Sequence, residues 1–187
     1  MSVYLSVYLS VYLSVYLSVY SSVYLSVSSD LTGRSFPDLN GSEFYEKTDF
    51  QPMVKHMWDI IAVDISGRHR IKGGYYMVCA AAALTVSASH IEKIKQIKIL
   101  PLWQKRAPSL LDVVQLIEDT ADQLSFEGTI VAEKGDMYNK PKWVTESMFS
   151  RAFKYQESIA ERQSIELVHH ISLSARNLLI KELEIEA

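Results

Sequence analysis

Between Trp58 and Leu84 the chain sets two apolar runs on either side of a short basic connection. Ile60, Ile61, Ala62 and Val63 follow one another without polar alternation, the pattern of a strand covered on both faces. Asp64 breaks that run. Ser66 and Gly67 supply turn chemistry, Arg68 to Lys72 are polar, Gly73 and Gly74 permit a bend, and Tyr75 to Leu84 is apolar again. This pattern predicts a β-hairpin with one acid near the end of its first strand. A carboxylate at the edge of a buried strand is costly unless something pairs with it, so the sequence poses the question of what Asp64 faces.

Downstream, Ser87 to Glu92 reads as a turn, and Lys93 to Leu100 alternates lysine with isoleucine as a third strand with one wet face near a sheet edge. Pro101 and Pro108 bracket a loop, and Ser109 caps a helix through about Leu124, with Leu110, Val113, Val114, Ile117 and Leu124 as its apolar stripe. Thr129 to Lys134 is predicted as a fourth strand and 135–142 as a loop. Thr145 to about Gln163 reads as a second long helix. Ile165 to Leu173 fits either a strand or a continued helix; the strand, followed by a last helix from Ser174, is preferred because it completes a known topology. The expected order is three antiparallel strands, helix, strand, helix, strand, helix.

Upstream, residues 2–27 repeat Ser-Val-Tyr-Leu, with breaks at Ser21 and Ser22, and no charge occurs before Asp30. The expectation is a low-complexity segment, 1–29, outside the fold. The alternative is a β-rich self-association segment, since uncharged, proline-free aromatic repeats favour cross-strand stacking. Residues 30–51, rich in Ser, Gly, Asp and Asn, form a linker or irregular lead-in, and 52–187 form a single α/β domain.

Composition narrows the class. With 187 residues, 48% hydrophobic and 22% charged, the chain suits one soluble globular domain. A net charge of -3 gives no whole-molecule pull toward nucleic acid or anionic lipid, so such binding needs a local patch. The single cysteine, Cys79, lies in an apolar run and forms no disulfide within the chain, which fits a reducing, cytoplasmic setting. The repeat lacks the basic start and continuous apolar centre of a secretory signal and the anchoring charges of a span, so no membrane association is expected. Gly73 and Gly74 form neither a Walker loop nor a dinucleotide fingerprint, and no CxxC, HExxH or nucleophile-elbow spacing occurs.

Three blocks, VDISGRHRIKGGYYMVCAAA (63–82), IVAEKGDMYNKPKW (130–143) and ERQSIELVHHISLSARNLL (161–179), resemble those of an archaeal family of uncharacterised proteins, a domain of unknown function. The resemblance runs from about Trp58 to Leu183. The order of elements also resembles the ribonuclease H-like superfamily, which implies a three-layer fold: a five-stranded mixed sheet with helices on both faces. In nucleases of that fold an acid on the first strand meets another at the end of the fourth. Similar placement gives Asp64 and Glu133, with Asp136 as the alternative if the strand ends later. Carboxylates so placed hold Mg2+ or Mn2+, which prefer oxygen ligands and serve phosphodiester hydrolysis. The remaining ligand is harder to place: Glu182 and Glu184 lie far along the last helix, and Glu157 and Glu161, four apart on the preceding helix, are the other acids in reach. His169 is a candidate general base or phosphate ligand, and on a strand it and His170 face opposite sides. Arg68, Arg70 and Lys72 are candidates to track a phosphate backbone, with Tyr75, Tyr76, Tyr138 and Trp143 as stacking groups.

Each candidate also has a structural role open to it. An Asp beside a turn often bonds only backbone amides, a buried histidine is commonly structural, and hairpin loops are usually charged. The resulting expectation is a divalent-metal-dependent nuclease or phosphodiesterase using strand-end carboxylates. The alternative is a non-catalytic nucleic-acid-binding or assembly module that keeps the fold without a complete acid set. Oligomeric state is not legible.

Overall fold

A computed structural model describes residues 56–71 and 73–183. The repeat, the lead-in, residues 52–55, Lys72 and Glu184 lie outside the described residues. Strands β1 (Trp58–Ser66), β2 (Arg70–Ile71), β3 (Gly74–Val86) and β4 (Ile91–Gln104) come first. Helix α1 (Leu110–Asp122), strand β5 (Thr129–Ala132), the short helix α2 (Lys142–Glu146), strand β6 (Phe153–Tyr155) and helix α3 (Ile159–Glu182) follow.

The predicted hairpin is present. β1 and β3 pair antiparallel from Trp58 opposite Val86 to Ser66 opposite Val78. Gly67, at φ +99°, then breaks the line before β2 resumes it against Tyr75. Only glycine fits there, because a Cβ would stand 1.9 Å from the Tyr76 carbonyl oxygen. β4 pairs antiparallel with the other edge of β3, whereas β5 lies parallel to β1 and β6 parallel to β5. The sheet therefore has six strands, one more than expected, because the two-residue β2 continues the path of β1 as a separate piece.

One helix covers each face. Odd-numbered side chains Ile61, Val63 and Ile65 of β1 and Met77, Cys79, Ala81 and Ala83 of β3 form a core with Val113, Leu116, Ile117 and Ala121 of α1. Period-two alternation sends Asp64 and Ser66 to the opposite face, where α3 packs across β1 and β3. Small residues let it approach: Ala62, Ala80 and Ala82 on the sheet and Ala160, Ser164, Ser172 and Ala175 on the helix are all buried. Burial makes Cys79 an inert part of this core, its thiol pushed up to about 12.

Helix α1 starts where the sequence places it, with Ser109 and Asp112 bonding reciprocally in a capping box. The expectations for the C-terminal third need correction. Residues 165–173, preferred as a strand, lie inside α3, a single helix of 24 residues that begins at Ile159, not Ser174. The fifth long-range strand of the topology is β6, inside the segment read as the long helix from Thr145 to Gln163. That segment is α2, then a turn, then β6, then the start of α3. Ser158 and Glu161 form a second capping box, which fixes the true start of α3. β4 also outruns its predicted span, passing through Pro101, and β5 ends at Ala132, short of Lys134.

Candidate functional site

At the carboxyl end of β1 the question posed by Asp64 has its answer. The side chain is 3% exposed and faces α3. Ser172 Oγ donates to Asp64 Oδ2 in a short hydrogen bond. With that proton committed, Ser66 Oγ, 2.8 Å away, is left to donate to Ser172. The other carboxylate oxygen stands 3.3 Å from His169 Nδ1. That bond requires the proton on Nδ1, so in the neutral ring Nε2 is an acceptor, on a side chain that is 52% exposed. Ser172 follows His169 by three positions, so both reach β1 from the same side of α3.

The second acid is Asp136, in the loop after β5. Arg68 wraps this loop: Nη1 donates to the carbonyls of Gly135 at 3.0 Å and Asp136 at 3.1 Å, and Nη2 donates to Asp136 Oδ1 at 3.0 Å. Asp136 Oδ2 is buried and has no hydrogen-bond partner. Burial pushes this carboxyl up to about 8; the Asp64 charge adds to the rise, Arg68 opposes it, and Glu133 adds a smaller repulsion. The Asp64 charge thus acts on Asp136 from the neighbouring strand.

The other expected residues distribute as follows. Glu133 stands one residue past β5 and is exposed, so it reaches the cluster as a nearby charge. Glu157 is 63% exposed and pairs loosely with Lys142 at 3.8 Å and Lys154 at 3.6 Å. Glu161 is fully buried, bound to Lys154 at 2.6 Å and to the amides of Glu157 and Ser158. It lies eleven residues before Ser172 on α3, about 16 Å along the axis, so neither it nor Glu157 joins Asp64. Arg70 is exposed on β2 and Glu182 exposed at the end of α3. His169 and His170 project from one helix at tilted ring planes, not from opposite faces of a strand, and only His169 touches Asp64.

Ser66, expected as turn chemistry, is the last residue of β1, and Ser172 has no role in the sequence reading. The signal for Ser172 is the ridge Ala160, Ser164, Val168 and Ser172, spaced by four, which is visible only once that segment is read as a helix. Among the described residues, no group of three or more His, Cys, Asp or Glu side chains is arranged to hold a metal ion. No helix among them is long and apolar enough to cross a membrane.

The fold and cluster define a mixed α/β protein with a pair of interacting buried acids at the strand ends. Residues 61–180 match a family described as an uncharacterised protein conserved in archaea (DUF2209), and the chain belongs to that family. It is similar to an uncharacterised protein of Methanocaldococcus jannaschii, 27% identical over 123 residues that cover 65% of this chain and 97% of the relative. Among solved structures it is similar to a chain in the simian T-cell lymphotropic virus intasome bound to the PP2A regulatory subunit B56 gamma, at 13% identity and a TM-score of 0.43. That match covers 67% of this chain and 41% of the viral-complex chain, so this chain spans about two fifths of its length.

Proposed function

We propose that the protein is a divalent-metal-dependent phosphodiesterase, a nuclease on a ribonuclease H-like scaffold, with Asp64 and Asp136 as the carboxylates that hold Mg2+ or Mn2+. The observation that carries this reading is the unpartnered Oδ2 of Asp136, buried beside a second acid. A protein gains nothing in stability from forcing two carboxylates together with one oxygen unsatisfied, whereas a cation between them would relieve both penalties. The strand arrangement supports the scaffold: three antiparallel strands, counting β1 and β2 as one path, then two parallel ones, with a helix after β4, β5 and β6.

The donor set fits a hard divalent ion by chemistry and falls short in number. Two carboxylates supply oxygen ligands; Glu133 is the further acid nearby. When bound, such an ion lowers the pKa of water and offsets phosphoryl charge. Around it the chain's own groups have distinct tasks. Arg68 holds the 135–136 loop against the end of β1. Ser172 and Ser66 fix the rotamer of Asp64. His169 offers Nε2 to accept a proton from an attacking water, and the exposed Arg70 supplies positive charge for the substrate backbone.

One observation favours the second reading, a nucleic-acid-binding or assembly module without chemistry. Both oxygens of Asp64 already have protein partners, and Arg68 occupies one oxygen of Asp136. The two readings separate in one assay: the full chain is incubated with end-labelled single- and double-stranded RNA and DNA in Mg2+ or Mn2+. The nuclease reading expects cleavage that EDTA stops and that Asp64→Asn and Asp136→Asn each abolish. Binding without cleavage under every condition would transfer the conclusion to the second reading.

A further inference from the structure

Near Asp136, on the α1 face of the sheet, lies a hollow of about 370 Å3 bounded by Arg68, His69, Tyr75, Ala107, Pro108 and Tyr138. Arg68 is the wall shared with Asp136, so whatever fills the hollow lies near that acid. Its chemistry is specific: two aromatic rings, two basic side chains and no acid among the six.

The tyrosine at its mouth is held in place at a conformational cost. Tyr138 and Asn139 have φ of 51° and 57°, a left-handed pair in residues other than glycine. Bonds from Tyr138 N–H to the Gly135 carbonyl at 3.2 Å and from Asn139 N–H to the Lys134 carbonyl at 3.0 Å maintain the turn. The phenol donates to the Pro108 carbonyl at 2.7 Å, and the Arg68 guanidinium sits 5.5 Å from the ring centroid. Yet the side chain remains a large exposed hydrophobic, at 40%. A fixed, exposed ring backed by a guanidinium is a stacking platform, and backbone strain of this kind gathers at functional positions.

We propose that this hollow receives one unstacked base of a single-stranded nucleic acid, with Tyr138 as the stacking surface and His69 beside the adjoining phosphate. The volume is at the low end of small-ligand sites and suits a single nucleotide. Bases in a duplex present only their edges, so the ring face of Tyr138 is useful to a strand whose bases are free. The inference rests on the phosphodiesterase reading for naming nucleic acid as the ligand, and it adds single-strandedness and a positioning residue.

The test is binding of fluorescein-labelled (dT)12, alone or annealed to (dA)12, to the full chain in EDTA, followed by anisotropy. EDTA removes metal and cleavage, so the result is independent of the acid pair. The expected result is binding of the single strand in preference to the duplex, weakened about tenfold or more by Tyr138→Ala. Tyr138→Phe, which keeps the ring, is expected to stay near wild type. A melting temperature for Tyr138→Ala close to wild type shows that the fold is intact; if it is not, Tyr75→Ala carries the same expectation. Equal affinity for strand and duplex, no binding by wild type, or unchanged binding by both tyrosine variants overturns the proposal. Failure of Mn2+ to stabilise the protein overturns the metal reading instead and leaves this binding result standing.

Discussion

Glu161 at the start of α3 and Asp136 in the loop after β5 are both buried carboxylates, and their surroundings treat them in opposite ways. Glu161 is fully buried; its Oε1, like Asp136 Oδ2, makes no hydrogen bond of good geometry, but the Lys154 ammonium stands 2.6 Å from it and the amides of Glu157 and Ser158 donate to Oε2. Burial alone would raise its carboxyl; the lysine and the two amides outweigh burial and hold it below the usual carboxylate range. Asp136, held by Arg68 in the loop after β5, is buried near a like charge with one oxygen unsatisfied, and its carboxyl rises to about 8. A matched acid is part of the scaffold. An acid left mismatched by a scaffold that can match one elsewhere points to a site.

The comparison can be broken most severely at Glu161. Glu161→Ala leaves Lys154 without its partner and two amides without their acceptor, and is expected to cost about 3 kcal/mol in urea denaturation. A loss below about 1 kcal/mol would mean that this end is not the matched one. Ser172→Ala comes next. It removes the hydroxyl that bonds a buried carboxylate and leaves Ser66 without that partner, an expected loss of about 2 kcal/mol.

The pH dependence sharpens the contrast because the two acids have opposite signs. Asp136 has a folded pKa raised from 3.8 to about 8, so the folded state holds the extra proton and stability falls as pH climbs through that window, levelling above it. Glu161 has a lowered folded pKa, so its contribution is present above its unfolded value of 4.5 and is lost as pH falls through the folded one. In EDTA, the stability of Asp136→Asn relative to wild type is therefore expected to rise between pH 5 and pH 9. An equal gap at both pH values would remove the repulsion argument. The smallest effect belongs to Glu157, whose ion pairs are exposed and 3.6 to 3.8 Å long; Glu157→Ala is expected to stay within about 0.5 kcal/mol of wild type.

The described strands ahead of α1, and the start of α1, were readable because several levels of signal agreed. The Ile60 to Val63 run, the Ser66-Gly67 break and the lysine alternation of β4 each carry one meaning, and Ser109 with Asp112 marks a helix start without a rival. The C-terminal third failed where signals conflicted. Ile165, Leu167, His169, Ile171 and Leu173 alternate as a strand does, but Val168, Ile171, Ser172 and Ala175 are the positions that α3 buries. The Ser158 to Glu161 capping box resolves the conflict, marking a helix start at Ile159, eight residues before Leu167. β6 was missed because three residues carry almost no periodicity.

The site was legible in the same uneven way. Asp64 stood out because a charge interrupting a buried run demands a partner. Asp136 entered only as the alternative to Glu133, because whether β5 ends at Ala132 or Lys134 decides which acid turns inward, and strand ends are set by packing that the sequence does not state. Ser172 was unreachable while its segment was read as a strand.

The most direct test of the central claim is a Mn2+ titration of the full chain, followed by melting temperature, for wild type and Asp136→Asn. A ligand that binds the folded state alone must raise its apparent stability, by about 2.7 kcal/mol at a hundredfold excess over Kd. The account predicts a saturable rise of several degrees for wild type and none for the variant. A wild-type melting temperature that stays flat across the titration would contradict it, and Asp64 and Asp136 would then stand as a strained pair with no cation to hold.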